Sequence, residues 1–359
     1  SAVAICGSAY ALLRKSFWEH RRPSVAHHID PNIRPSRLFV SVGSQDTDNA
    51  ISTILDGLEI ADLKLNVDIA IANDAPHLDK IEIKSAQHAQ NITLHIGKTD
   101  LSQLMSRADF AIGAAGVTSW ERCCLGLPTI LVSLYPNQQD VAANLERAGA
   151  VYRIERDEFN STSIAEALHH MVHDHAARID IARNAGKITD GLGSNRIASA
   201  LAAPKTKNGE RVRLRPAIIE DTETILSWQT APEMRQFFRK PRIPTVKEHA
   251  QWMEQKLNDA DCVINIILKN EQPAGMLRLE AIHGGDLPEP DYEISILIAP
   301  EMQDAGIGKS ALAAAKMLLP EAKFVAQVMP KNIASCKLFE SAGYVKNSSG
   351  QYISKQLSL

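Results

Sequence analysis

The order of apolar runs along this chain predicts an α/β protein in two parts: a parallel sheet wrapped by helices, then a smaller mixed α+β unit. Three observations carry that expectation. Between about residues 36 and 155, β-branched runs alternate with helical patterns, the rhythm that places a parallel sheet between two helical layers. A stretch bearing Pro, Gly and charge, LAAPKTKNGE at 201–210, then breaks the rhythm without any apolar period. Beyond it strands come in succession before helix and strand alternate again.

In the first part RLFVSVG, LNVDIAIA, NITLHIG, ADFAIGA and PTILVSL read as strands, because short β-branched runs bounded by polar residues fit a buried sheet. DNAISTILDGLE, DLSQLMSRA, TSWERCCLG and QDVAANLERAG read as the intervening helices, and STSIAEALHHMVHDHAARIDIARNA as a helical tail. In the second part RVRLRPA and VINIILK read as strands, and MLRLEAI and YEISILIA as a neighbouring antiparallel pair. The chain has no internal repeat.

Composition narrows the class. A chain of 359 residues with 45% hydrophobic and 23% charged residues suits two or three soluble globular domains. A net charge of -3 gives no reason to expect nucleic acid or an anionic membrane as partner, and no apolar run approaches the roughly 20 residues of a membrane span. Cys6, Cys123, Cys124, Cys262 and Cys336 have neither metal-ligand nor redox spacing, so a reducing cytoplasm is the expected compartment. In HHMVHDH, His169 and His173 are spaced i,i+4. They could clasp zinc on one helical face or form a solvated polar face; with no third ligand nearby, no metal is expected.

The segment EMQDAGIGKSAL, 301–312, ends like a phosphate-binding P-loop. That motif needs a glycine five residues before the one at Gly308, and Gln303 stands there. What remains is a Gly-x-Gly turn between the strand YEISILIA and the helix GKSALAAAKMLL. Gly306 and Gly308 either let the backbone approach an anionic ligand at the helix start or serve the turn's geometry alone. On the strand, alternation puts Glu293, Ser295 and Leu297 on one face. Glu293 is either a general base for an amine nucleophile or a strand carboxylate paired with the neighbouring RLE. His283, in the loop AIHGGDLPEP, is a second candidate base or a solvated loop histidine.

In the first part ADFAIGAAGVTSWERCCLGLPTI carries the most chemistry. A strand enters a turn of small residues, Gly113 to Gly116, which permits close approach of a diphosphate. Thr118 or Ser119 can cap the following helix. Glu121, in its first turn, can accept two sugar hydroxyls or simply compensate the helix dipole.

Residues 211–359 resemble the GNAT acetyltransferase family in their order of elements. Its Q/R-x-x-G-x-G/A motif after the fourth strand is matched by Gln303, Gly306 and Gly308, and VMPKNIASCKLFESAGY resembles its fifth strand, Asn-containing turn and last helix. The resemblance implies acetyl-CoA as cofactor. The amides of Asp304, Ala305, Gly306, Ile307, Gly308 and Lys309 would hold its pyrophosphate, and the backbone of Ile296, Leu297 and Ile298 would pair with the pantetheine arm like an added strand. Asn332 and Ser335 would lie near the thiol. One residue departs from the pattern: many members have a tyrosine acid within L-Y-x-x-x-G-F, where LFESAGY has Phe339. Tyr344 falls where the family has a core phenylalanine and is expected to pack. A thiol pKa of about 8.5 lets the thiolate leave without that acid.

The first part resembles the nucleotide-binding half of GT-B glycosyltransferase-like proteins. More narrowly, CGSAYALLRKSF, SVGSQDTDN and PNQQDVAANLERAGA, within about residues 5–155, are similar to the UDP-sugar hydrolase family of pseudaminic acid biosynthesis, which releases UDP from a diacetamido-trideoxy-altrose. The resemblance implies that Glu121 binds ribose, that Gly116, Val117, Thr118 and Ser119 bind the diphosphate, and that Ile96 and Gly97 hold uracil. Ser44 and Gln45 would approach the phosphates, and Asn137 and Gln138 the sugar. That family also has an N-terminal domain with a G-x-G-H motif, absent from this sequence, so weak UDP binding and inefficient hydrolysis are expected.

The resulting plan is a remnant of that domain at 1–30, a Rossmann-like GT-B half-domain at 31–200, a linker at 201–210 and an α+β GNAT domain at 211–359. Together the resemblances imply a bifunctional sugar-nucleotide enzyme. Its second domain would acetylate a UDP-4-amino-4,6-dideoxy sugar and its first would bind the UDP-sugar, with UDP as product. The alternatives are a UDP-sugar glycosyltransferase fused to an acetyltransferase, and a non-catalytic module that binds nucleotide and CoA.

Overall fold

The computed structural model describes residues 4–238, 242–282, 291–303 and 305–355. The chain divides into two compact units, one over Cys6–Leu192 and the other from Gly193 onward.

The first unit begins with α1 (Lys15–His28), then runs β1 (Arg37–Ser41), α2 (Ala50–Ala61), β2 (Asn66–Ile71), α3 (Leu78–Gln87), β3 (Asn91–Ile96), α4 (Ser102–Arg107), β4 (Phe110–Ala114), α5 (Thr118–Cys124), β5 (Thr129–Val132), α6 (Gln139–Arg147), β6 (Tyr152–Ile154), α7 (Ser161–His173) and α8 (His175–Ile188). All six strands are parallel, in the order β3-β2-β1-β4-β5-β6. The alternation within β1 explains the two layers. Leu38 and Val40 enter a core with Ile51, Ile54, Leu55 and Leu58 of α2 and Ile164, Leu168 and Met171 of α7. Phe39 points to the other face, against Phe17 of α1, Met105 of α4 and Cys124 of α5.

Besides α1, two elements of this unit escaped the sequence reading. In α3 only Ile81 and Ser85 are buried, too little apolar repeat to announce a helix, and β6 is three residues long with an arginine in the middle. The structure also makes α1 an integral part of this unit. Buried Arg21 donates through Nη1 to the carbonyls of Cys124 (2.6 Å) and Thr189 (3.1 Å) and through Nη2 to that of Gly186 (2.8 Å).

The second unit comprises α9 (Gly193–Leu201), β7 (Val212–Pro216), α10 (Thr222–Thr230), α11 (Pro232–Arg235), α12 (Val246–Leu257), β8 (Cys262–Lys269), β9 (Gln272–Ile282), β10 (Asp291–Ile298), α13 (Ile307–Leu318), β11 (Phe324–Ala326), α14 (Ile333–Ser341), β12 (Val345–Lys346) and β13 (Tyr352–Ile353). Its seven strands lie in the order β12-β13-β11-β10-β9-β8-β7. They pair antiparallel except β10 with β11. Ile264, Ile266, Leu268, Met276 and Leu297 face Ile225 and Trp228 of α10 and Met253 of α12, while α13 covers the other side against β7 and β10.

The stretch 201–210, expected as a linker, lies inside this second unit together with α9. Lys205 bridges to Arg211, Ser310 Oγ of α13 donates to the Lys205 carbonyl at 3.0 Å, and Asn195 Nδ2 of α9 donates to the Leu318 carbonyl at 2.9 Å.

Candidate functional sites

In the first unit the chain leaves β1 toward β2 and β3 but leaves β4 toward β5 and β6. The carboxyl ends of β1 and β4 therefore flank a topological switch point, where open α/β sheets bind ligands. Ser44 and Gln45 follow β1, Gly116 and Val117 follow β4, Thr118 and Ser119 open α5, Ile96 and Gly97 end β3, and Asn137 and Gln138 follow β5. Because the sheet is wholly parallel, these loops share one rim. Hydrogen bonds tie them together: Ala72 N to Ser44 O at 2.9 Å, Gln45 Nε2 to Asp74 Oδ1 at 2.9 Å, Gly97 N to Ile71 O at 2.9 Å, and Thr47 Oγ1 with the Tyr135 hydroxyl at 2.6 Å. Gly97 has φ +67°, a left-handed turn that a side chain would strain. The Gln138 Oε1 is buried and accepts no hydrogen bond.

Glu121 sits in the first turn of α5. Burial raises its pKa, against the pull of Arg122 and Arg14. The capping role expected of Thr118 or Ser119 is corrected: Val117 holds the cap position and no side chain caps α5. The physical reason is competition from a residue the sequence reading passed over. Arg122, 1% exposed, donates to Thr118 Oγ1 at 3.1 Å and Ser119 Oγ at 3.1 Å, and Ser119 Oγ donates in turn to the Ala114 carbonyl at 3.3 Å. An arginine inside the apolar run WERCCLGL was the available signal. Asp46 was passed over as well. Its buried carboxylate accepts Ala50 N at 2.7 Å and Ile51 N at 3.1 Å, so it occupies the start of α2 itself.

In the second unit β10 pairs with β9 from Asp291 through Ile298, whereas its register with β11 covers only Tyr292 and Glu293. From Ile294 onward the other edge of β10 has no partner strand among the described residues, and Ile296, Leu297 and Ile298 lie on that stretch. Of these, Leu297 turns its side chain into the core, as its place in alternation with Glu293 and Ser295 requires. Glu293 stands opposite Glu280, a like-charge pair that is unfavourable unless cations attend it. They do: Lys256 Nζ lies 2.7 Å from Glu280 and 2.9 Å from Asp259, and Arg278 lies 3.5 Å from Glu280 and donates to Ser295 Oγ at 3.4 Å. Burial works against the Lys256 charge, but Glu280 and Asp259 more than offset it and hold the ammonium above its ordinary range. His283 and Asp304 lie outside the described residues.

The start of α13 is open at Gly306. Gly306 is left-handed at φ +73°, and the nearest atom to a Cβ there would be Lys207 N at 3.9 Å, so the turn is open. Ile307 is buried, Ala305 is partly covered and Lys309 is exposed. Gly308 also has a packing reason, since a Cβ there would lie 2.9 Å from Leu338 of α14. It lets α13 and α14 pack closely. Gln303 Nε2 donates to Met234 Sδ at 2.7 Å. Asn332 caps α14 by accepting Ser335 N at 3.0 Å. Phe339 is buried edge-on to Tyr344, with ring centroids 5.1 Å apart, and burial raises the Tyr344 pKa. Past β11, Gln327, Val328, Met329, Ser349, Gly350 and Gln351 line a cavity of about 340 Å³. The His169 and His173 rings stack at 5.6 Å, and among the described residues no group of three or more His, Cys, Asp or Glu is placed to hold a metal. Nor is any described helix long and apolar enough to cross a membrane.

A Rossmann-like half with its switch-point rim is followed by an α+β unit of GNAT-like fold whose central strands part beside a glycine turn. Comparison with known proteins gives the same pair: residues 37–194 match the glycosyltransferase family 28 C-terminal domain, and residues 211–345 match the acetyltransferase (GNAT) domain. Acetyl-CoA is the cofactor of that second domain. The open β10 edge and the uncrowded turn at Gly306 fit such a group.

An uncharacterised protein of Methanocaldococcus jannaschii is 20% identical over 352 residues, covering 96% of this chain and 69% of that protein. A spore coat polysaccharide biosynthesis protein of Bacillus subtilis is 22% identical over 167 residues, 46% of this chain and 49% of its own length. Among solved structures, a domain from Methanocaldococcus jannaschii aligns at 24% identity and TM-score 0.35 over 40% of this chain and 96% of its own. The spermidine N-acetyltransferase of Vibrio cholerae, in complex with CoA and spermine, aligns at 18% identity and TM-score 0.34 over 40% of this chain and 91% of its own.

Proposed function

We propose that the chain is a sugar-nucleotide enzyme whose second domain transfers an acetyl group from acetyl-CoA to the amine of a UDP-4-amino-4,6-dideoxy sugar, and whose first domain binds UDP-sugar. The observation that carries the reading is the early end of the β10–β11 register at Glu293, while β9 stays paired to Ile298. It leaves backbone donors and acceptors for an extended ligand to take up in the manner of an added strand.

When bound, acetyl-CoA supplies an acetyl group activated as a thioester. Ile296, Leu297 and Ile298 would hold its arm through their backbone, and the amides from Ala305 to Lys309 its pyrophosphate. Glu293 would accept the acceptor's ammonium proton so that the nitrogen attacks as a neutral amine. Phe339 has no proton to give, so expulsion of the sulfur rests on the low basicity of a thiolate. The cavity past β11, with Gln327, Ser349 and Gln351 on its wall, offers amide and hydroxyl partners for a sugar.

The finer reading places this sugar in nonulosonic (pseudaminic) acid biosynthesis, where the acetylated product, UDP-2,4-diacetamido-2,4,6-trideoxy-altrose, is cleaved to release UDP. A glycosyltransferase family 28 match and an acetyltransferase match in one chain support it, since fusion would raise the local concentration of a shared intermediate. Incubation with acetyl-CoA and the UDP-amino sugar tests the reading. Free thiol and a product heavier by one acetyl group are expected, and Glu293→Gln should slow turnover roughly 100-fold while acetyl-CoA still binds. Coenzyme binding with no turnover by the unaltered chain would refute it. The match to a glycosyltransferase family 28 domain favours a second reading, UDP-sugar transfer to an acceptor, which would show as UDP release that requires a second substrate.

A further inference from the structure

We infer that Arg122 is the buried cation of the nucleotide site, acting on the diphosphate through the Thr118 hydroxyl. The inference rests on the reading of the switch-point rim as a UDP site, and adds a residue that no part of that reading uses.

Arg122 is unusual in what surrounds it. It is 1% exposed, and its partners are the Ala114 carbonyl at 2.8 Å from Nη2 and the Ser119 and Thr118 hydroxyls, with Nε lacking any partner. A guanidinium removed from water ordinarily has a carboxylate or another anion beside it. Here the acceptors are a carbonyl and two hydroxyls. Glu121 favours its charge through space, and Cys123 stays a neutral thiol, burial pushing its pKa up to about 12. Burial draws Arg122 itself down to about 10, which still leaves it charged at neutral pH. The charge packs against the last residues of β4, just before the turn: a Cβ on Gly113 would come within 2.3 Å of Nη1. Glycine at that place makes room for the guanidinium.

The hydrogen bonds then dictate what faces outward. A threonine hydroxyl has one hydrogen and two lone pairs. Thr118 Oγ1 spends one lone pair on Arg122 Nη1, which turns its own hydrogen away from the guanidinium. Thr118 is partly exposed on the rim, so that hydrogen is available to a ligand oxygen. The other start of a helix at the switch point is closed to an anion, because Asp46 already holds the amides of Ala50 and Ile51. A phosphate at this rim therefore meets an oriented hydroxyl backed by a cation in a low-dielectric setting, where their mutual attraction is least screened.

The test is titration of the full chain with uridine, UDP and inorganic pyrophosphate by calorimetry, for the unaltered protein and for Arg122→Met, Arg122→Lys, Gly113→Ala and Thr118→Val. Arg122→Met should bind UDP about tenfold or more weakly, the scale of a lost charge-assisted hydrogen bond, and bind uridine as before. Thr118→Val, which keeps the charge, and Gly113→Ala, which displaces it, should each lower the preference for UDP over uridine. Should Arg122→Met fail to fold, Arg122→Lys and those two variants carry the test. An unchanged UDP-to-uridine ratio across the variants, whether both affinities fall or neither does, overturns the inference and leaves Arg122 a structural residue. If the unaltered chain binds neither uridine nor UDP, the nucleotide reading fails. Pyrophosphate binding that depends on Arg122 would then keep the inference as an oxyanion site, and its absence would overturn that too.

Discussion

At the scale of single residues, burial decides which ionisable groups act on the fold. His28 of α1 is enclosed, with Nε2 2.8 Å from the Ala108 carbonyl and Nδ1 3.2 Å from that of Leu125. Burial lowers its pKa to about 4, aided by neighbouring His27 and opposed by the two carbonyls and Asp109. In the unfolded chain the same ring titrates near 6.5, so between these values the unfolded state binds more protons and acid favours it. The stability due to neutral His28 is whole above about pH 6.5 and falls by about 3 kcal/mol as pH drops to about 4. His28→Gln should flatten that part of the stability curve, measured by urea unfolding from pH 4 to 7; an unchanged slope would show that other groups govern it. Such groups are poorly visible in sequence. RRPSVAHHID gives no sign that His28 rather than His27 is enclosed, and the arginine within WERCCLGL signals a buried charge without telling that it takes the hydroxyls expected to cap α5. In both cases the outcome depends on contacts with residues remote in the chain or on the opposite side of a helix turn.

At the scale of elements, β-branched strands and strongly periodic helices were legible, whereas α1, α10 and α12 were not read although Phe17, Ile225, Trp228 and Met253 of these helices are buried in the cores. The five β-branched runs of the first unit became β1 to β5, whereas three-residue β6 and sparsely buried α3 had no period to reveal them. The antiparallel pairing of MLRLEAI with YEISILIA was also legible, and register places Leu277 opposite Ile296 and Met276 opposite Leu297. What no pattern could report is where β10 and β11 part, nor how tightly β9 lies on β10 at Gly275: a Cβ there would lie 2.3 Å from the Leu297 carbonyl oxygen and 3.0 Å from Ile298 Cα. Backbone cannot yield as a side-chain tip can, so Gly275→Ala should push β10 outward at the residues proposed to hold the coenzyme arm. The expected result is a loss of about 1–3 kcal/mol in stability, the usual cost of overpacking, with acetyl-CoA affinity falling along with it. Calorimetric titration of a variant that still folds would check this, and unaltered acetyl-CoA binding would detach the β10 edge from the coenzyme site.

At the scale of the whole molecule, composition located the change of architecture but not the physical boundary. The Pro- and Gly-bearing stretch at 201–210 looked like a connection because it has no apolar period, yet the division falls before it, between Leu192 and Gly193. α9 carries its own attachments to the second unit: Asn195 Nδ2 to the Leu318 carbonyl at 2.9 Å, and the Ala200 carbonyl receiving Arg211 Nη2 at 3.0 Å. The supposed linker adds the Lys205 carbonyl, which accepts from Ser310 Oγ at 3.0 Å. A fragment starting at Arg211 loses all three hydrogen bonds and uncovers the surfaces of α13 and β7 that α9 shields; one starting at Gly193 keeps them. At about 1 kcal/mol for each hydrogen bond, the shorter fragment should be about 3 kcal/mol less stable before any lost apolar contact is counted. For a domain of this size that corresponds to a fall of roughly 10 °C in Tm. Scanning calorimetry of the two fragments decides the matter: equal Tm values would mean that α9 and residues 201–210 only connect, as their composition suggested, and a clear deficit in the shorter one would make them part of the acetyltransferase domain's fold.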